Sequence, residues 1–136
     1  MSGASGSRIV LALFFVAAGA NHFIEPALYL SIVPSYLPWR PQLVTVSGVA
    51  EILGGLGLLF RPTHRVAAVG LIALLVSVFP ANVEALRTGM SIAGHAVPSW
   101  ALWARLPLQL VLIWWVYLSG LRACRARPIA PEQLRV

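Results

Sequence analysis

Residues 43–60 read LVTVSGVAEILGGLGLLF, an apolar run with a single charge, Glu51, near its middle. The run is long enough to cross a hydrocarbon core as a helix, which takes about 17–25 residues. In a soluble protein one glutamate among so many aliphatic side chains would pass unremarked. In lipid it is costly, at least about 2.5–3.5 kcal/mol at mid-bilayer, and must turn inward toward a partner. Gly48 and Gly55 lie at i−3 and i+4 from Glu51, on its own helical face. They leave room for the carboxylate and let another backbone approach. Ala50, Gly54 and Gly57 form a second small-residue strip beside it, suited to close helix contact.

Working outward, three similar runs cover residues 8–24, 66–86 and 100–121, with arginines at their edges. The chain has 136 residues, of which 59% are hydrophobic and 10% charged, against about 25% charged in soluble domains. A chain this small has too much surface to hide such an excess from water. Backbone groups in lipid must bond internally, so the runs read as helices. The expected fold is an all-α membrane protein. It is a four-transmembrane-helix bundle over residues 1–121, with a short interfacial helix and loop between helices 1 and 2. A basic cytoplasmic tail follows at 122–136. A cleaved signal peptide is the alternative for the first run, since Arg8, a short apolar stretch and Ala18-Gly19-Ala20 mimic one. It would cost the protein its first helix.

Charge sets the orientation. All ten basic residues are arginines and all four acidic ones glutamates. Arg8, Arg61, Arg65, Arg122, Arg125, Arg127 and Arg135 fall on one side of the four runs; Arg40 and Arg87 fall on the other. The positive-inside bias places both termini in the cytoplasm, in a multi-pass protein. The same edge placement argues against nucleic acid as the partner of so basic a chain, because no basic run is interleaved with exposed aromatics. The lone cysteine, Cys124, excludes an internal disulfide.

Two linkers lie outside. Residues 25–42 carry four prolines with Tyr29, Tyr36 and Trp39. A short interfacial helix at about 27–32 is expected there, followed by an extended proline-rich loop lying on the bundle. Residues 87–99 read as a loop. The inner link at 61–65 is short, so helices 2 and 3 form an antiparallel hairpin. His64 in that link is read as a topology or headgroup residue, and His95 in the outer loop as solvent-exposed. Trp100, Trp103, Trp114 and Trp115 are read as interfacial anchors or packing residues.

The polar residues inside the runs cluster by depth. Asn21, His22 and Glu25 end helix 1, and Asn82 and Glu84 lie near the outer end of helix 3, just past Pro80. Arg105 and Gln109 share a face of helix 4. Pro80 frees a carbonyl about four residues earlier, for polar groups to satisfy. All fall in the outer half, while the cytoplasmic half is almost purely apolar. One polar pocket shared between the helices is the economical reading, with Asn21, His22, Glu51, Asn82, Arg105 and Gln109 as its ligand-binding residues. Arg105 is the expected ion-pair partner of Glu51, with snorkelling to the headgroups as its alternative. The bland alternative for the amides is structural, as hydrogen bonds between helices worth about 0.6 kcal/mol each. His22, His95 and Glu25 could assemble a metal site only without tight ligand spacing, so none is assigned. No haem signature, phosphate loop or serine–histidine triad appears, and no residue is read as catalytic.

Gly19-Ala20-Asn21-His22-Phe23, Pro26, Tyr29, Ile32-Val33-Pro34, Leu37-Pro38 and Pro41 form a pattern that resembles the DoxX-like family of small bacterial membrane proteins. The resemblance continues through Ser47-Gly48-Val49-Ala50-Glu51-Ile52-Leu53-Gly54-Gly55, Pro80-Ala81-Asn82 and Arg105-Leu106-Pro107-Leu108-Gln109. It implies a four-helix fold in the bacterial cytoplasmic (inner) membrane and the same six polar residues at the site. It also implies association with membrane redox complexes, with a quinone as the cofactor to consider and a redox protein as partner. This chain lacks the paired cysteines of redox-active relatives, so any redox role would need a bound quinone or a partner protein. The expected function is a non-enzymatic subunit binding a small lipophilic molecule and supporting a redox complex. A small homo-oligomeric transporter or channel, and a membrane assembly factor, are the alternatives.

Overall fold

The computed structural model describes residues 3–122, with side chains from residue 6 onward. Cys124 and the basic tail beyond Arg122 lie outside the described residues. The elements in order are α1 (Gly3–Ile24), α2 (Pro26–Ile32), α3 (Arg40–Leu59), α4 (His64–Ser77) and α5 (Phe79–Thr88). They continue with β1 (Ser91–Ile92), β2 (His95–Ala96), α6 (Ser99–Tyr117) and a π-helical turn at Leu118–Arg122.

Four helical stretches are long and apolar enough to cross a membrane: Gly6–Ile24, Arg40–Leu59, His64–Thr88 and Ser99–Arg122. In the most buried of them only 28% of the apolar window is covered by the rest of the protein. Leu13, Val46, Leu53, Val66 and Leu110 all stand exposed. A helix that is apolar all round and yet uncovered needs an apolar solvent or a partner.

The packing follows the small residues. α1 lies along α3, α3 on α4, and α4 on α6. A Cβ built on Gly19 would meet the Gly48 carbonyl oxygen at 2.6 Å, and one on Gly55 would meet the Ala12 carbonyl oxygen at 2.9 Å. The α1–α3 seam therefore brings backbone against backbone, which only glycine allows. On the second strip, Gly54 and Gly57 receive Leu71 and Ala67 of α4. The main core is Leu11, Phe15, Leu58, Ala68, Leu71, Leu75 and Val116. A smaller one, of Ile32, Ala85, Met90 and Leu102, lies under α2 and the hairpin.

The structure departs from the expected spans in three places. The third run is not one helix: it breaks at Val78, two residues before Pro80, and restarts as α5. The 87–99 segment is not wholly loop. It folds as a hairpin in which Ser91 pairs with Ala96 and Ile92 with His95. Its two turn residues, Ala93 and Gly94, have φ of 50° and 80°, the left-handed pair of a type I′ turn. His64 is not a loop residue at the surface. It opens α4, is buried, and its Nδ1 lies 2.6 Å from the Arg61 carbonyl oxygen.

The end of the bundle expected to be almost purely apolar also carries a polar tie. The Trp115 indole N–H donates to Ser7 Oγ at 2.6 Å, and the Ser7 and Ser119 hydroxyls bond at 2.7 Å. This tie joins α1 to the π-turn where Gly120 is buried. The short helix expected at about 27–32 is present as α2, and His95 is exposed on β2.

Candidate functional site

A cavity of about 510 Å³ opens between α1, α2, α3, the α4–α5 break and α6. That is the size range of small-molecule sites. His22, Glu51, Asn82, Arg105 and Gln109 all line it. Five of the six expected site residues, drawn from four helices, are thus brought to one cavity. Asn21 is the sixth. It lines a different depression, with Glu25 and Met90. It acts on the cavity from behind, donating from Nδ2 to the Tyr29 hydroxyl at 2.9 Å.

The inner polar pair is His22 and Glu51. His22 Nε2 lies 3.6 Å from Glu51 Oε2, and both side chains are largely buried. On its other side, His22 Nδ1 lies 3.0 Å from the Val44 carbonyl oxygen and 3.2 Å from Ser47 Oγ. The Ser47 hydroxyl itself donates to the Val44 carbonyl, at 2.9 Å. A carbonyl oxygen only accepts, so Nδ1 carries a proton and the neutral ring presents a bare Nε2 toward the carboxyl group. At 3.6 Å the ring nitrogen and the carboxyl oxygen face each other without a direct hydrogen bond. Glu51 Oε2 is buried and has no hydrogen bond among the described residues. The Tyr29 ring stacks on the imidazole, with centroids 3.7 Å apart and planes 25° from parallel, and fixes its tilt.

The expected Glu51–Arg105 ion pair is not what forms. Glu51 faces His22 across the α1–α3 seam. Arg105 is carried on α6 toward the hairpin, and its Nη1 donates to Met90 Sδ at 2.9 Å. Arg105 still lines the cavity, and among the described residues it has no carboxylate partner. The two remaining described glutamates are engaged elsewhere or exposed: Glu84 meets Arg87 at 3.4 Å, and Glu25 is exposed at the end of α1.

Asn82 and Gln109 form the amide pair. Asn82 Nδ2 donates to Gln109 Oε1 at 2.7 Å, and Gln109 Nε2 donates to the Leu75 carbonyl oxygen. The carbonyl freed by the α4–α5 break is thus satisfied, five residues before Pro80. Gln109 is buried, and these bonds occupy both ends of its amide. It holds the break in place, while Asn82 retains one N–H and its oxygen for other partners.

Phe14, Phe15, Leu74, Leu108 and Leu112 are among the apolar residues of the wall. Tyr29 and Ser47 were not among the expected site residues. Tyr29 was legible as an aromatic following Pro26, but the membrane-interface reading absorbed it. Ser47 stands at i−4 from Glu51, on its face. Among the described residues no three His, Cys, Asp or Glu side chains gather as a metal site would require.

A family model described as a domain of unknown function, DUF8561, matches residues 11–119. That stretch contains every residue lining the cavity. No curated protein and no solved structure matches the chain.

Proposed function

The chain belongs to the DUF8561 family, a description that names no activity, and from the cavity we propose that it is an integral membrane subunit binding a small lipophilic molecule with an oxygen-bearing head. A quinone is one such molecule, and a membrane redox complex is the setting such a subunit would support. The observation that carries the reading is the cavity itself. Its polar residues are His22, Tyr29, Ser47, Glu51, Ser77, Asn82, Arg105 and Gln109, and the rest of its wall is aliphatic, prolyl or phenyl. Guanidinium, hydroxyl and amide N–H groups can donate to a carbonyl oxygen, and the His22–Glu51 pair can give or take a proton at a second oxygen.

Membrane insertion belongs to this proposal and is supported by the four long, uncovered apolar helices. The arginine distribution supports cytoplasmic termini in a bacterial inner membrane. The motifs at 19–23 and 47–55 support kinship with DoxX-like proteins.

The test is binding in detergent solution. Protein purified in a maltoside detergent is expected to carry a co-extracted lipophile visible by mass spectrometry. It should also bind an added short-tailed quinone, read as quenching of tryptophan fluorescence. Glu51→Gln, which removes a carboxyl group able to give or take a proton, is expected to weaken quinone binding about tenfold, the value of one charge-assisted hydrogen bond. A protein that purifies empty and binds no quinone or other lipophile contradicts the reading.

A further inference from the structure

Arg105 lines the cavity without a carboxylate against it among the described residues. Glu51 faces His22 across the α1–α3 seam instead. Asn82, Gln109, Tyr29 and Ser47 bring no negative charge to the guanidinium. Its hydrogen-bond partner among the described residues is a thioether. A sulfur atom accepts a hydrogen bond weakly and brings no negative charge. A guanidinium set against a largely apolar wall without a counter-charge is costly, and the cost is relieved when an anion arrives.

We infer that the natural occupant is a single-chain amphiphile with an anionic oxygen head, a carboxylate or phosphate ester, seated at Arg105. This rests on reading the cavity as a site for a lipophile and narrows which lipophile. The guanidinium has five N–H groups in a planar fork, of which Met90 takes one, so four remain and two of them can grip an oxyanion side by side. The Tyr29 hydroxyl accepts from Asn21 and keeps its own proton to donate. The free N–H of Asn82 adds a third kind of donor. The chain of the amphiphile then runs along Phe14, Phe15, Leu74, Leu108 and Leu112, where no polar group competes for it. A volume of about 510 Å³ suits one chain and a small head.

The experiment compares ligands that share a chain and differ in head: tetradecanoate, tetradecyl phosphate and tetradecanol, titrated into the full-length protein in a maltoside detergent. Tetradecanoate or the phosphate is expected to bind about tenfold or more tighter than the alcohol, the scale of a charge-assisted contact. The two oxyanion arms identify which head the site takes. Arg105→Gln is expected to erase the preference while leaving alcohol binding near its original level. Arg105→Lys keeps the charge and retains a preference, which guards against a Gln variant that fails to fold. Equal binding of acid and alcohol by the unaltered protein overturns the inference but leaves the lipophile site standing. A preference that survives in Arg105→Gln overturns it as well. If no ligand in the series binds and the quinone also fails, the site reading itself falls.

Discussion

Gly19→Ala is expected to destabilise the protein by about 1–3 kcal/mol, the cost of forcing one methyl group into a packed contact. It should also loosen the candidate site. The added Cβ lands 2.6 Å from the Gly48 carbonyl oxygen and 2.8 Å from Ile52 Cγ1. The first obstacle is backbone and cannot rotate aside, so α1 and α3 must part. Parting them separates the groups that the seam holds together. His22 rides on α1, one turn past Gly19, while Val44, Ser47 and Glu51 ride on α3. The 3.0 Å contact to Val44 and the 3.6 Å contact to Glu51 both span that gap. Stability and ligand affinity should therefore fall together, measured by thermal unfolding in detergent and by the quinone titration. Gly70→Ala is the control. Nothing lies within 4 Å of its added Cβ, and alanine is the better helix former by up to about 1 kcal/mol. That variant should be neutral or slightly stabilised. If Gly19→Ala proved as stable as Gly70→Ala, the backbone-to-backbone seam would be wrong.

The same seam explains which parts of the site were legible in the sequence. Depth could be read directly: the position of each polar residue along its run says how far down the bundle it sits. That is why Asn21, His22, Glu51, Asn82, Arg105 and Gln109 were expected to meet, and the cavity wall holds all of them but Asn21. Direction around the helix axis could not be read between helices. Glu51 has several helices within reach, and the choice among them depends on which faces pack. The contact across Gly19 and Gly48 settles that choice in favour of His22. Arg105, taken from charge alone as the partner, is turned by α6 toward Met90. The break at Val78 was hidden for a different reason. Residues 66–86 are apolar on every side, and uniform hydrophobicity carries no mark of where a helix stops. Pro80 was the available signal, and it sits two residues past the break because proline is tolerated in the first turn of the helix it begins. The far-end tie of Ser7, Trp115 and Ser119 joins residues more than a hundred positions apart. Single serines in an apolar run gave no reason to expect it.

Gln109→Leu is expected to cost about 2–4 kcal/mol, several times the average for an amide in a bundle of this kind. That average is about 0.6 kcal/mol, and it is low because a polar group released within a membrane finds another partner. Gln109 is placed where substitutes are scarce. Its Nε2 serves the Leu75 carbonyl at the α4–α5 break, and its Oε1 accepts from Asn82. Leucine at 109 leaves both unsatisfied, and each buried orphan costs about 1–3 kcal/mol. The Leu75 carbonyl has no easy replacement, since Phe79, four residues on, already begins α5 and Pro80 after it has no N–H. Asn82 has a way out, because its side chain can turn into the cavity and find water or ligand. Asn82→Leu should therefore cost less than Gln109→Leu. The double variant should cost less than the two single ones added together, since removing both partners leaves no orphaned Asn82. Reversible unfolding of the four proteins in one detergent gives the cycle. Equal single costs with strict additivity would mean that the amides act separately and that the break in the third apolar run holds without them. A dominant Gln109 cost with positive coupling would make this residue the strut that keeps α5, and with it one wall of the cavity, in its bent position.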